Sequence, residues 1–176
     1  MADTAELDSR ELRRALGQFA TGVAVVTAEA ADGSVIGLTM SSFNSVSLDP
    51  PLVLFSIDRK AFSLQAMAEA KGYAVNILGR GQEDLSNKFA KALGDKWTAV
   101  EHTLGHCAAP LLAGALAHFE CEPYAQYDGG DHLIFVGRVV RFAADVANDP
   151  LIFFRGAYRG LATQESSPQW PLPMHY

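Results

Sequence analysis

The feature that most constrains the fold is a series of short β-branched or alternating apolar runs. Turn residues cut them at close intervals, and they never alternate regularly with helices. Val23-Ala24-Val25-Val26-Thr27 suits a buried strand. Asp32-Gly33 is a hairpin signal, and Val35 to Met40 is the returning strand. Val46 to Leu48 reads as a short strand before the turn Asp49-Pro50-Pro51. Leu52 to Ile57 alternates, so that Val53, Phe55 and Ile57 share one face. Further strands are predicted over Tyr73 to Leu78, Ala115 to Tyr127, His132 to Phe142 and Leu151 to Phe154. The turn Asp128-Gly129-Gly130-Asp131 separates the second and third of these.

Helical signals are fewer. Asp8 and Glu11 have the spacing of a capping box, with Leu12, Ala15, Leu16 and Phe19 at helical intervals and Thr21-Gly22 as the stop. Leu64, Met67, Ala68 and Lys71 predict a short helix closed by Gly72. Leu85, Phe89 and Leu93 mark a third, and Gly94 to Pro110 reads as a long loop. About seven strands and three short helices in this order argue for a mainly β, antiparallel barrel or sandwich with helices at its edges. One domain over residues 1–162 is expected, followed by a Pro/Ser-rich arm over 163–176.

Composition narrows the function. The 176 residues suffice for one core, and a formal charge of −6 without a basic stripe argues against nucleic-acid binding. No apolar run approaches the roughly 20 residues of a membrane span. Asp3, Glu6, Asp8 and Glu11 break the layout of a signal peptide, so a cytoplasmic protein is expected. The two cysteines, Cys107 and Cys121, predict neither a disulfide nor a zinc knuckle, and no metal site is expected near His102 and His106.

The chemistry-bearing candidates sit at strand ends. Thr39-Met40-Ser41-Ser42-Phe43-Asn44-Ser45 puts four hydroxyls and an amide at the end of an apolar strand. It reads either as a cradle for a phosphate or ring edge, or as a solvated connection. Ser56 and Asp58, flanking Ile57, share a face at another strand end. Asn76 lies within an apolar strand and must find a backbone partner or a ligand. Ser86, Lys88 and Phe89 share a helix on which Lys88 could meet a phosphate. His132 opens the longest strand, and Arg155-Gly156-Ala157-Tyr158-Arg159 offers an aromatic ring and guanidinium groups. Rossmann, P-loop and nucleophile-elbow motifs are missing.

These segments, taken in order, resemble the short-chain flavin reductases, the reductase components of two-component flavin-dependent monooxygenases of the 4-hydroxyphenylacetate 3-monooxygenase type. The matching pieces are Phe19-Ala20-Thr21-Gly22-Val23 with Val25-Val26-Thr27, Gly37 to Phe43, Ser45 to Val53, Ala74 to Leu78, Gly130 to Gly137, and Pro150-Leu151 through Tyr158. The resemblance implies a split β-barrel, usually a homodimer with flavin at the subunit interface. It implies hydride transfer from NADH or NADPH to an exchangeable FMN or FAD, and delivery of reduced flavin to a separate monooxygenase. Carried over by position, Thr39, Met40, Ser41, Ser42 and Ser45 would line the ring and phosphate. Ser56, Ile57, Asp58 and Asn76 would contact the flavin, with Ser86, Lys88 and Phe89 at its phosphate end. His132 would position the nicotinamide, with Tyr158 and Arg159 as C-terminal partners. Arg59-Lys60-Ala61-Phe62 departs from relatives that carry small hydroxyl residues there. The rival readings are a split-barrel flavoprotein oxidase and a flavin carrier or sensor without turnover.

Overall fold

The computed structural model describes residues 7–161; the expected arm over 163–176 and the boundary at 162 lie outside the described residues. Helix α1 (Ser9–Leu16) leads into strands β1 (Thr21–Gly22), β2 (Ala24–Glu29), β3 (Val35–Met40), β4 (Asn44–Leu48) and β5 (Pro51–Asp58). Helix α2 (Leu64–Glu69), strand β6 (Tyr73–Ile77) and helix α3 (Glu83–Ala90) follow. The rest is strand β7 (His102–Leu104), a 3₁₀ turn (His106–Ala108), β8 (Pro110–Leu112), β9 (Ala117–Gly129), β10 (His132–Ala144), β11 (Ile152–Phe154) and β12 (Ala157–Arg159). No helix among the described residues is long and apolar enough to cross a membrane.

The main sheet has seven strands in the order β3-β2-β6-β9-β10-β5-β4, with every ladder antiparallel. Its two edges, β3 and β4, are consecutive in the chain and joined only by Ser41, Ser42 and Phe43. A linker that short forces the sheet to curl until its edges approach. No ladder joins β3 to β4 among the described residues, so the sheet is not closed. Strands β1, β11 and β12 form a small second sheet, and β7 pairs with β8.

Burial explains the sequence patterns. On β5, Val53, Phe55 and Ile57 point into the core while their neighbours are half-buried or exposed, which is the predicted alternation. Strand β2 instead is buried continuously from Ala24 to Ala28. Its Ala24, Val26 and Ala28 pack inside the curled sheet with Phe55, Tyr73, Val75 and Phe135. Val25 faces outward, into a second cluster with Leu78, Phe89, Leu112 and Leu151. The inner core centres on Phe55 stacked on Phe135 at 5.1 Å, with Tyr73 edge-on to both.

Several local expectations change. Helix α1 is N-capped by Asp8, which accepts from Arg10 N at 2.8 Å, but it ends at Leu16 with Gly17 as its cap. Thr21-Gly22 is therefore not the stop; it pairs with β11. Leu12, Leu16 and Phe19 stay exposed, so the helical spacing there does not mark a core face. Helix α2 ends at Glu69 with an extended Ala70 cap, and Gly72 serves a different need. A Cβ at Gly72 would lie 2.8 Å from that of Cys107. The loop expected over 94–110 contains β7 and the 3₁₀ turn, whose non-local pairing leaves no sequence period.

Gly37 on β3 is a close-approach site, because a Cβ there would fall 2.7 Å from a ring carbon of Phe89. Gly37→Ala is therefore expected to lower unfolding stability by about 1–3 kcal/mol, read from urea melts. An unchanged midpoint would show that Phe89 yields without cost.

Candidate active site

Three strand ends converge at one end of the curled sheet. The register of β10 on β5 sets His132 opposite Asp58, and Ile134 opposite Ser56. The end of β3 reaches the same place through Ser42, whose Oγ accepts from Ser56 N at 3.0 Å and donates to Ser56 O at 3.1 Å. That pair of hydrogen bonds pins the loop after β3 to β5. The result is an open cleft of about 300 Å³ lined by Thr39, Met40, Ser41, Ser42, Ser56, Ile57, Asp58 and His132, together with Leu38 and Ala61. Eight residues singled out from sequence thus meet in one place.

The lining residues divide by what their side chains already do. Thr39 Oγ1 donates to Ser86 O at 2.6 Å, which ties β3 to α3, and Ser42 is spent on β5. Asp58 Oδ1 accepts from Lys60 N at 2.8 Å and so caps the turn after β5. The hydroxyls of Ser41 and Ser56 make no hydrogen bond to other described residues and stand free for a ligand. His132 Nδ1 donates to Asp131 Oδ1 at 2.7 Å, which fixes the ring and leaves Nε2 uncommitted. This hydrogen bond, together with the nearby imidazole charge, holds the Asp131 carboxyl below the usual carboxylate range.

Arg59 supports that histidine. Its Nε donates to Gly130 O at 2.8 Å, and its guanidinium pairs with Asp128 at 2.7 Å. Arg59 N also donates to Asp131 O at 2.9 Å, so the β9–β10 turn is clasped to the end of β5. The exposed ion pair contributes little by itself; the backbone contacts set the position.

Other candidates lie elsewhere in the single chain. Asn76 does not reach the cleft. It is fully buried; its Nδ2 donates to Val25 O at 2.9 Å and its Oδ1 accepts from Leu112 N at 2.9 Å. It therefore joins β2, β6 and β8, with Thr27 Oγ1 donating to Pro110 O at 2.5 Å beside it. Ser45 is exposed on β4, away from the cleft lining. Ser86 is fully buried and shares a hydrogen bond with Tyr158 at 2.8 Å, which places both behind the cleft wall. Arg159 is exposed on β12. Lys88 donates to Thr98 O and faces an outer hollow. Phe89 lines a narrow hollow that adjoins the cleft at Leu38, Thr39 and Ala61.

Sequence reasoning missed Arg59 as a support, and Lys96 and Trp97 as part of the adjoining hollows. The last two sit in a stretch without periodicity, where only the fold brings them to β3. Cys121, the fully buried cysteine, is an inert core residue, since burial pushes its thiol up to about 12.

A curled antiparallel sheet with two free hydroxyls and an oriented histidine at one rim offers hydrogen bonds to a small polar ligand. Residues 16–162 match the model of the flavin reductase like domain. A probable flavin reductase of Rhizobium meliloti is 44% identical over 156 residues, covering 88% of this chain and 50% of the relative. FMN reductase (NADH) SmoA of Agrobacterium fabrum is 43% identical over 157 residues, covering 89% of this chain and 88% of that protein. The solved NADH:FAD oxidoreductase SgcE6 of Streptomyces globisporus, in complex with NAD and FAD fragments, superposes with a TM-score of 0.86. It is 40% identical, and the match covers 92% of this chain and all of that one. The chain belongs to the flavin reductase like family. It spans only half the length of the Rhizobium meliloti relative.

Because Asn76 spends its amide inside the scaffold, Asn76→Ala is expected to cost about 1–3 kcal/mol of stability by orphaning Leu112 N. The affinity of the folded variant for FMN should stay within a factor of about two, which is only a few tenths of a kcal/mol. A large affinity loss with unchanged stability would return Asn76 to the ligand site.

Proposed function

We propose that this chain is an NADH- or NADPH-dependent flavin reductase that passes a hydride to an exchangeable FMN or FAD. Its reduced flavin would serve a separate monooxygenase, a reading supported by relatives named as reductase subunits of such enzymes. The observation that carries the proposal is the meeting of the Thr39–Ser42 strand end with His132 across Ser56 and Asp58 in one open cleft.

The donor set fits a flavin. Ser41 and Ser56 offer hydroxyls that can either donate or accept, matching a ring edge that carries both carbonyls and ring nitrogens. Leu38 and Met40, both only partly buried, supply apolar wall for the ring face. When bound, the flavin and the nicotinamide carry the hydride chemistry between themselves. The residues of this chain bind, orient and exclude water; His132, locked through Asp131, positions the nicotinamide with its free Nε2. No proton need pass through it.

The same reading covers assembly and extent. The curled, unclosed sheet is a split β-barrel that forms the reductase domain. The chain acts in the cytoplasm as a homodimer. Exposed Val46, Leu48, Tyr124, Tyr127 and Phe142 supply apolar surface for the second copy.

Dialysed protein given excess FMN should consume NADH, followed by the loss of nicotinamide absorbance. Bound flavin without NADH loss would make the chain a carrier, and turnover only with an added amine would make it an oxidase. An open cleft with few charged contacts predicts that flavin leaves on extensive dialysis and that activity returns on its addition. Flavin retained until the protein is denatured would contradict this. His132→Ala is expected to lower kcat/KM for NADH about tenfold, a loss of about 1.4 kcal/mol. Unchanged kinetics would remove its positioning role.

A further inference from the structure

One chemistry-bearing segment singled out in the sequence takes no part in the cleft. Arg155 and Gly156 form the two-residue turn between β11 and β12, and this turn packs against the end of α1. Between the two lies an open hollow of about 450 Å³, lined by Arg13, Arg14, Gly17, Gln18, Arg155 and Gly156. None of these residues lines the cleft beside His132.

The positive charge in this hollow is uncompensated. No carboxylate lines it, and none lies within ion-pair distance of Arg13, Arg14 or Arg155 among the described residues. Arg59, Arg80, Arg138 and Arg141 each pair with an acidic side chain. The whole chain carries a formal charge of −6, so acidic partners are not scarce. Three guanidinium groups left together repel one another, and a bound anion relieves that repulsion. Arg13 and Arg14 have a second use, because they lie in the last turn of α1, where cations offset the helix dipole. That use does not extend to Arg155, which belongs to another element.

Arg155 is held in place. Its Nε and Nη2 both donate to Gln18 Oε1, at 2.9 and 2.5 Å. Gln18 is braced in turn, its Nε2 donating to Arg14 O at 3.0 Å. The Arg155 guanidinium lies over the Phe154 ring at 4.8 Å, and Arg155 N donates to Gly17 O at 3.1 Å. A guanidinium has five N–H donors, so three remain for a ligand. The turn also keeps arginine against local preference. Its φ is +50° and that of Gly156 is +75°, a left-handed pair for which Asn-Gly is the favoured sequence. An arginine there costs backbone free energy that its side chain has to offset.

We propose that this hollow is an anion site that takes a phosphate group, free or carried on a phosphorylated small molecule. Three cations call for a dianion rather than a single carboxylate, and guanidinium forks match phosphate oxygens in pairs. The site is separate from the flavin cleft and independent of the reductase reading. Helix α1 has no buried residue and meets the hairpin through Gly17 and Gln18. A phosphate shared by Arg155 and the α1 arginines therefore clamps the helix to the β11–β12 turn.

The test is calorimetric titration of the full, flavin-free chain with inorganic phosphate and, separately, with glycerol 3-phosphate. Arg155→Asn is the decisive variant, because asparagine accepts the left-handed backbone and keeps the turn. It should weaken phosphate binding by roughly tenfold or more, the worth of one charge-assisted hydrogen bond, with FMN affinity unchanged. Amide exchange in α1 should slow when phosphate is added to the wild type, and not in the variant. Tighter binding of glycerol 3-phosphate assigns the site to a phosphorylated metabolite, and tighter binding of inorganic phosphate assigns it to the free ion. Absence of saturable phosphate binding, or acetate bound as tightly as phosphate, would overturn the proposal. So would phosphate binding unmoved by Arg155→Asn, which puts the ion elsewhere. Loss of FMN affinity in the variant would give the hollow to the flavin, overturning the separate site and leaving the reductase reading intact.

Discussion

Two-sided burial of β2 organises the molecule. One face of this strand closes the aromatic core inside the curled sheet, and the other anchors α3, β8 and Leu151 as an outer layer. A strand buried on both faces has no freedom to slip in register, because a one-residue shift would exchange the two sets of side chains. The fully buried polar pair Thr27 and Asn76 reinforces that register, since each group finds partners only in this alignment of β2, β6 and β8. Helix α3 is thereby fixed beside β3, and Thr39 is tied to it through Ser86 O.

The cleft inherits its geometry from that frame. It lies where the curled sheet fails to close, between edge strand β3 and the β5–β10 pair. Closing the ladder there would fill the space with backbone hydrogen bonds. Ser42 instead bridges the gap through a single side chain and leaves Ser41 and Ser56 available. The Arg59 clasp does the same for the β9–β10 turn, so that His132 is presented by a rigid corner rather than by a mobile loop. A rigid rim and an open mouth suit a ligand that must be oriented during reaction and then released.

The hollows beside the cleft join residues that are remote in sequence and unlike in origin. Lys60 and Phe62 come from the turn after β5, Gly37 from β3, and Lys96 and Trp97 from the segment after α3. Gly37 has to lack a side chain because Phe89 occupies its space.

Alternation on β5, the β-branched run of β2 and the hairpin signals were readable along the chain, because period and turn chemistry are local properties. They fixed the mainly antiparallel class; the hydroxyl cluster at a strand end read either as a ligand cradle or as a solvated connection, and only the fold set Thr39, Ser41 and Ser42 beside His132. Asn76 shows the limit of that reading: a buried amide looks alike in sequence whether it faces a ligand or a carbonyl, and only the placement of β8 decided it. Leu12, Leu16 and Phe19 show another, since helical spacing does not say whether anything packs against the face. The curl of the sheet, the gap between its edges and the meeting of β3 with His132 belong to the tertiary structure alone. They depend on which distant strands pair, and long-range pairing leaves no periodic trace in the chain.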